Sequence, residues 1–251
     1  EYDVTDLVNL EANELLLKFK SPLELMRSKI KNSDYELPAD NDKAGGLSPY
    51  IRKAPYHFGW DWGPCLVTMG IWKKVELIGY DSFRTTLSTI NQISCDDNAA
   101  MLEAEFHIES NSDYVGEVMI EHEDSAIREK FEVTLNPGLN ILFHKSNVFS
   151  PKLWWPKGYG NQDLYSFQIS IKINECTINL EKQIGIREIS INTSKDKLGE
   201  KFEININGKP FFAKGANWIP ADSFTTKISK KDYNSILDNA IYANFNTLRV
   251  W

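Results

Sequence analysis

No stretch of this chain approaches the roughly 20 consecutive apolar residues that a membrane-spanning helix requires, so no membrane partner is expected. Basic charge is scarce too. Lys and Arg number 28 against 35 Asp and Glu, a formal net charge of -7. Nucleic acid is therefore not an expected partner, because neutralising phosphates needs a basic surface. Cysteine is thin: Cys65, Cys95 and Cys176 fit neither a zinc site nor a disulfide framework, and free, mostly buried thiols are expected. The four histidines, His57, His107, His122 and His144, lack metal-ligand spacing, so no metal and no other cofactor is expected. The opening residues EYDVTDLVNL have no charged region followed by an apolar stretch, as a signal peptide would. Since the chain reads as beginning inside a domain, its compartment stays open between periplasmic or secreted, lysosomal and cytoplasmic. Its oligomeric state stays open as well.

What is present is mostly β-strand pattern. In a chain of 251 residues with 42% hydrophobic content, Tyr165, Phe167, Ile169, Ile171 and Ile173 alternate with Ser166, Gln168, Ser170, Lys172 and Asn174. Leu102, Ala104, Phe106 and Ile108 alternate likewise, and Phe131, Val133 and Leu135 repeat the period up to the turn Asn136-Pro137-Gly138. Half-buried strands at this spacing predict an immunoglobulin-like sandwich over residues 81–191. Before it, residues 15–19 and 71–78 read as strands and residues 21–31 as a short helix. The polar stretch 32–55 is too long for a hairpin and is expected to carry function or disorder. Two or three strands cannot close a sandwich, so residues 1–80 read as the C-terminal part of one.

The pattern changes again over residues 192–251. Phe202, Ile204 and Ile206 lead into Asn207-Gly208, a strong hairpin turn signal, with residues 210–214 returning. Ser229 with Asp232 forms a capping-box pattern. Tyr233, Ile236, Leu237, Ala240 and Ile241 then make an apolar helical stripe, expected to be buried. A strand over residues 247–251 follows. A strand–helix–strand unit of this kind reads as the opening of a parallel α/β structure.

Four runs stand out. Residues 56–64 read YHFGWDWGP, in which aromatic faces suited to the C–H faces of a sugar bracket Asp61, a carboxylate able to accept from two vicinal hydroxyls. Taken alone, the run reads equally as a hairpin whose tryptophans plug a core. Residues 215–224 read GANWIPADSF, residues 246–251 NTLRVW and residues 153–160 LWWPKGYG. Together with MGIWKKVEL around Trp72, Gly185-Ile186-Arg187 and Asn207-Gly208-Lys209-Pro210, these runs resemble glycoside hydrolase family 2, and the first, second and fourth resemble its β-mannosidase branch. The resemblance covers nearly the whole chain.

That resemblance implies a mainly β architecture: a partial jelly-roll sugar-binding β-sandwich, an immunoglobulin-like β-sandwich, then the first strand–helix–strand of a truncated (β/α)8 barrel. It implies an exo-acting retaining β-mannosidase whose two catalytic glutamates lie on later barrel strands. No catalytic residue is therefore assigned here, and the chain alone is expected to be inactive. The implied substrate is a β-mannoside oligosaccharide or glycoconjugate. By the same resemblance Trp60 and Asp61 sit on a loop reaching the barrel mouth, with Asp61 holding hydroxyls distal to the scissile bond. Arg249 would orient a catalytic carboxylate, Trp251 would line the terminal-sugar subsite, and Asn217 and Trp218 would approach it. Trp218 packed between domains is an equal reading. Trp154 and Trp155 read as structural, and Arg187 as an interdomain ion-pair partner. The rival readings are another family 2 specificity, including endo-β-mannosidase, β-galactosidase and exo-glucosaminidase, and a non-catalytic carbohydrate-binding sandwich.

Overall fold

A computed structural model of the chain describes residues 1–96, 98–122 and 127–251. It divides into two compact units, one of Glu1–Glu76 with Ile219–Tyr233 and one of Leu77–Trp218 with Asn234–Trp251.

The first unit is built on helix α1 (Pro22–Ile30), as the sequence predicts. Ser21 caps it by accepting from the Glu24 N–H, and Pro22 opens it where no N–H is needed. Met26 on α1 packs with Leu47 and Phe58, all nearly inaccessible, and Ile30, Tyr50 and Val67 close around them. The polar stretch 32–55 is neither disordered nor a bare linker. Asp42 accepts the Ala44 and Ser48 N–H groups at 2.7 and 2.8 Å, and Tyr50 Oη accepts the Leu37 N–H at 2.8 Å. Residues 15–19 and 71–78 differ from expectation. Both lie outside every strand and helix, and among the described residues neither joins a ladder. Leu16 and Trp72 remain 87% and 62% exposed, because a strand is stabilised by cross-strand pairs and these segments have none.

The second unit begins with a β-sandwich. Strands β1 (Phe83–Cys95), β2 (Ala99–Ser110), β3 (Tyr114–His122), β4 (Ile127–Leu135), β5 (Gly138–Phe149), β6 (Tyr165–Ile173) and β7 (Cys176–Ile184) form two antiparallel sheets. Their orders are β1-β2-β5 and β4-β3-β6-β7. The period-two residues face inward as expected: Leu102, Ala104, Phe106, Ile108, Phe167, Ile169, Ile171 and Ile173 share one core, which Val118 and Ile120 of β3 complete. Edge strands β4 and β5 are clasped across the sheets by Glu129. It takes His144 Nε2 at 2.5 Å and the Ser146 hydroxyl at 2.6 Å, while the His144 ring stacks on Phe131 at 4.0 Å.

Strands β8 (Ile189–Asn192), β9 (Glu203–Ile206) and β10 (Lys209–Phe211) follow as a three-stranded antiparallel meander. Asn207 and Gly208, at φ 50° and 71°, make the β9–β10 turn, the left-handed pair that a two-residue hairpin requires. Strand β11 (Gly215–Trp218), helix α2 (Lys230–Tyr242) and strand β12 (Thr247–Val250) then form the strand–helix–strand unit, with β11 and β12 parallel. The capping box is made: Asp232 accepts the Ser229 N–H at 2.9 Å, and Ser229 Oγ accepts the Asp232 N–H at 3.3 Å. The apolar stripe of α2 is not buried, however. Tyr233, Leu237 and Ile241 are 38%, 40% and 53% exposed. The described residues form no barrel.

Among the described residues the cysteines form no disulfide, as expected, but they are not mostly buried: Cys65 and Cys176 are exposed and Cys95 half-buried. Cys176 follows the tight turn at Asn174 (φ 52°), at the tip of the β6–β7 hairpin rather than in the core.

Candidate functional site

The YHFGWDWGP run resolves into an anchored turn. Phe58 is fully buried and bridges Cys65 across the hairpin. The Trp60 N–H donates to the Gly63 carbonyl at 3.0 Å, and the Leu66 N–H to the His57 carbonyl at 2.9 Å. The turn between them lifts Asp61 into solvent, flanked by half-buried Trp60 and Trp62. The Trp62 ring leans on Tyr56 at 5.4 Å, and Tyr56 on His57 at 4.7 Å. The structure thus divides the run. Phe58 plugs the core, and Asp61 with its two tryptophans is presented from it.

Loop 32–55 braces this turn from beneath. The Lys43 N–H donates to the Phe58 carbonyl at 2.8 Å, and Lys43 Nζ to the Trp60 carbonyl at 3.3 Å. Gly59, at φ +106°, lies against the Lys43 stem, which an added Cβ would meet at 3.0 Å. On another side Gly63 faces the Ser223 hydroxyl, 3.6 Å from where a Cβ would stand. Two of the singled-out runs therefore meet within the first unit. The electrostatics under the turn are basic. Burial pushes His57 below its ordinary pKa, Lys53 adds to the depression, and the Leu66 backbone opposes it. Burial also lowers Lys53. The His57 Nδ1 is buried with no hydrogen bond among the described residues.

The other predicted residues fall in the second unit. Asn217 and Arg249 stand opposite each other in the parallel β11–β12 pair, and Arg249 Nη1 donates to Asn217 Oδ1 at 3.2 Å. With Ala213, Gly215, Ala216 and Thr247 they line an open cleft of about 310 Å³. Gly215 is obligatory, since a Cβ there would lie 1.7 Å from the Thr247 carbonyl oxygen. Trp218 is half-buried and Trp251 41% exposed, and the Trp251 N–H donates to the Trp218 carbonyl at 3.0 Å. The structure therefore pairs Asn217 with Arg249 and Trp218 with Trp251, while Trp60 and Asp61 belong to the first unit.

Trp154 and Trp155 are structural, as the turn chemistry of their run predicts. Trp154 packs on Gly185 and Trp155 on Gly160, where an added Cβ would approach the rings to 3.0 and 2.7 Å. Arg187 departs from expectation. Its guanidinium lies 5.2 Å from the Trp154 ring centre and donates to the Gly185 carbonyl, rather than forming an ion pair among the described residues. Sequence reading missed Lys43, His57 and Gly215. Only Gly215 left a trace, a glycine entering a strand, which signals close backbone approach.

The chain is similar to known proteins along its length. A family model described as glycosyl hydrolase 2 galactose-binding domain-like matches residues 1–73, and one described as glycosyl hydrolases family 2 matches residues 86–187. β-Mannosidase B of Emericella nidulans is 33% identical over 99% of this chain and 30% of its own length. β-Mannosidase B of Aspergillus fumigatus is 35% identical over 80% of this chain and 24% of its own. The chain thus spans about 30% or less of these relatives. Among solved structures, the β-D-mannosidase of Dictyoglomus thermophilum superimposes with a TM-score of 0.82 at 38% identity, over 92% of this chain and 28% of that one. The exo-chitosanase of Amycolatopsis orientalis, with a TM-score of 0.56 at 16% identity over 67% of this chain and 20% of that one, shares the fold alone. Two matching models that between them take in most of the residues, with a mainly β fold and a relative aligned over 99% of this chain, lead to one conclusion: the chain belongs to glycosyl hydrolase family 2.

Proposed function

We propose that this chain is the N-terminal part of an exo-acting, retaining β-mannosidase that removes terminal nonreducing β-D-mannose from oligosaccharides or glycoconjugates. The observation that carries the reading is Asp61, an exposed carboxylate at the tip of an aromatic turn whose root, Phe58, is fully buried. A carboxylate on an anchored turn, adjacent in sequence to two tryptophans, suits paired sugar hydroxyls, and relatives matching 99% and 92% of this chain bear the name β-mannosidase. In this proposal Trp60 and Asp61 hold the hydroxyls far from the scissile bond. Asn217 and Arg249 work as a pair, the guanidinium fixed on the amide so that its remaining donors are free to orient a carboxylate. Trp218 and Trp251 line the terminal-sugar subsite. The nucleophile and the acid/base are glutamates beyond residue 251, and the chain by itself is inactive.

The chemistry follows from two carboxylates flanking an oxocarbenium-like transition state. One forms a covalent glycosyl-enzyme, which water hydrolyses with the other acting first as acid, then as base. In this proposal the Asp61 turn is what limits the enzyme to exo-action, by holding the hydroxyls of a terminal sugar. Full-length protein given a manno-oligosaccharide of defined length should release single mannoses, with the β-anomer appearing first in the NMR spectrum. Internal cleavage, or initial α-anomer, would contradict the proposal.

A further inference from the structure

The LWWPKGYG run contributes nothing to the proposed sugar contacts, yet it touches the elements that build the β11–β12 cleft. It leaves the sandwich between β5 and β6. The Trp154 carbonyl accepts from Asn207 Nδ2 at 3.0 Å, at the β9–β10 turn. Lys209 Nζ lies 5.0 Å from the Trp155 ring centre, and the Tyr159 ring meets Phe211 at 5.2 Å. Tyr159 Oη accepts the Phe212 N–H at 3.3 Å. Lys157 Nζ donates to the Ile241 carbonyl at 2.5 Å, at the end of α2.

The last contact answers a deficit. A helix C-terminus favours a cation, for its dipole and for its unpaired carbonyls, and α2 has no basic residue in its last turn. Its end is a Schellman-type turn on Asn244, at φ 59°. There the Phe245 N–H reaches the Ala240 carbonyl at 2.9 Å and the Asn244 N–H the Ile241 carbonyl at 3.0 Å. Lys157 supplies the absent charge from a loop 84 positions away in sequence.

From Tyr159 the bonds continue to the cleft. Phe212, whose N–H Tyr159 holds, gives its carbonyl to Asn246 Nδ2 at 3.0 Å. Asn246 Oδ1 in turn accepts the Lys214 N–H at 2.8 Å and the Thr247 hydroxyl at 2.9 Å. Gly215 and Thr247, the next residues along both strands, line the cleft with Asn217 and Arg249.

We propose that Lys157 and Tyr159 are positioning residues, which fix β11, α2 and β12 to the sandwich loop and thereby hold the Asn217–Arg249 pair in its working orientation. The proposal rests on the reading of that pair as part of the sugar site. Its test compares Tyr159→Phe, Lys157→Met and Lys157→Arg in the full-length protein. The readouts are kcat and KM on an aryl β-mannoside, Tm, and hydrogen exchange of the amides at 215–218 and 247–250. The first two variants should lose about tenfold or more in kcat/KM, since small misplacements far from the chemistry are amplified at the reacting atoms. Tm should stay unchanged, exchange should rise in β11 and β12 but not in β2 or β6, and Lys157→Arg should restore both readouts. Unchanged rates and exchange would overturn the proposal. So would losses that follow a general fall in Tm and persist in Lys157→Arg. If the unmutated protein cleaves no mannoside while exchange still responds selectively, the positioning role stands and the sugar reading falls.

Discussion

Asp61 is held by what lies behind it. Its neighbours Trp60 and Trp62 are half-buried, Phe58 is anchored beside Met26, and Lys43 ties down the Trp60 carbonyl. In the proposed sugar site this carboxylate accepts two hydroxyls, and a charge-assisted hydrogen bond is worth roughly 1.5–3 kcal/mol. Asp61→Ala should therefore lower kcat/KM of the full-length protein at least about tenfold, with the fold intact by circular dichroism. His57 gives a pH signature of its own. Its folded-state pKa lies below the unfolded value of about 6.5 because the ring is partly buried near Lys53. The unfolded chain therefore takes up the proton first, and stability should fall as pH drops below about 6.5. Denaturant melts of His57→Gln across pH 5–8 should lack that component of the slope. At β11, Gly215→Ala would drive a Cβ onto the Thr247 carbonyl. It should destabilise the β11–β12 pair by about 1–3 kcal/mol or more, read as accelerated exchange of its amides.

Elements whose information is local were legible in the sequence. The inward face of β6 follows from its period of two, the β9–β10 turn from Asn-Gly, and the start of α2 from Ser229 and Asp232. Residues 15–19 and 71–78 have the right composition for strands, but a ladder needs a partner and composition does not carry one. The stripe on α2 was legible as a stripe and not as an exposed one, since burial belongs to the neighbour. The same limit hid Lys43 and His57, whose roles exist only once loop 32–55 folds beneath the turn, whereas Trp60 and Asp61 were singled out by the family resemblance of their run, its composition alone leaving a core-plugging hairpin equally open. Two measurements test the elements. Phe106→Ala, at a fully buried position of β2, should cost the sandwich about 3–5 kcal/mol in urea unfolding. Gly208→Ala, at φ 71°, should cost about 1–2 kcal/mol without altering the core.

For the whole molecule, the domain plan of 1–80, 81–191 and 192–251 remains our proposal, beside family matches at 1–73 and 86–187. Family membership gives the fold, and the class of chemistry is proposed from the relatives. The sugar rests on one turn and on relatives of which this chain spans about 30% or less. The most direct test is hydrolysis of aryl β-mannoside, β-galactoside and β-glucuronide, side by side, by the full-length protein and its Asp61→Ala variant. The account predicts cleavage of the mannoside alone, lowered at least about tenfold by the substitution. Preference for either other sugar, or a variant that cleaves the mannoside as fast as the unmutated protein, would contradict it.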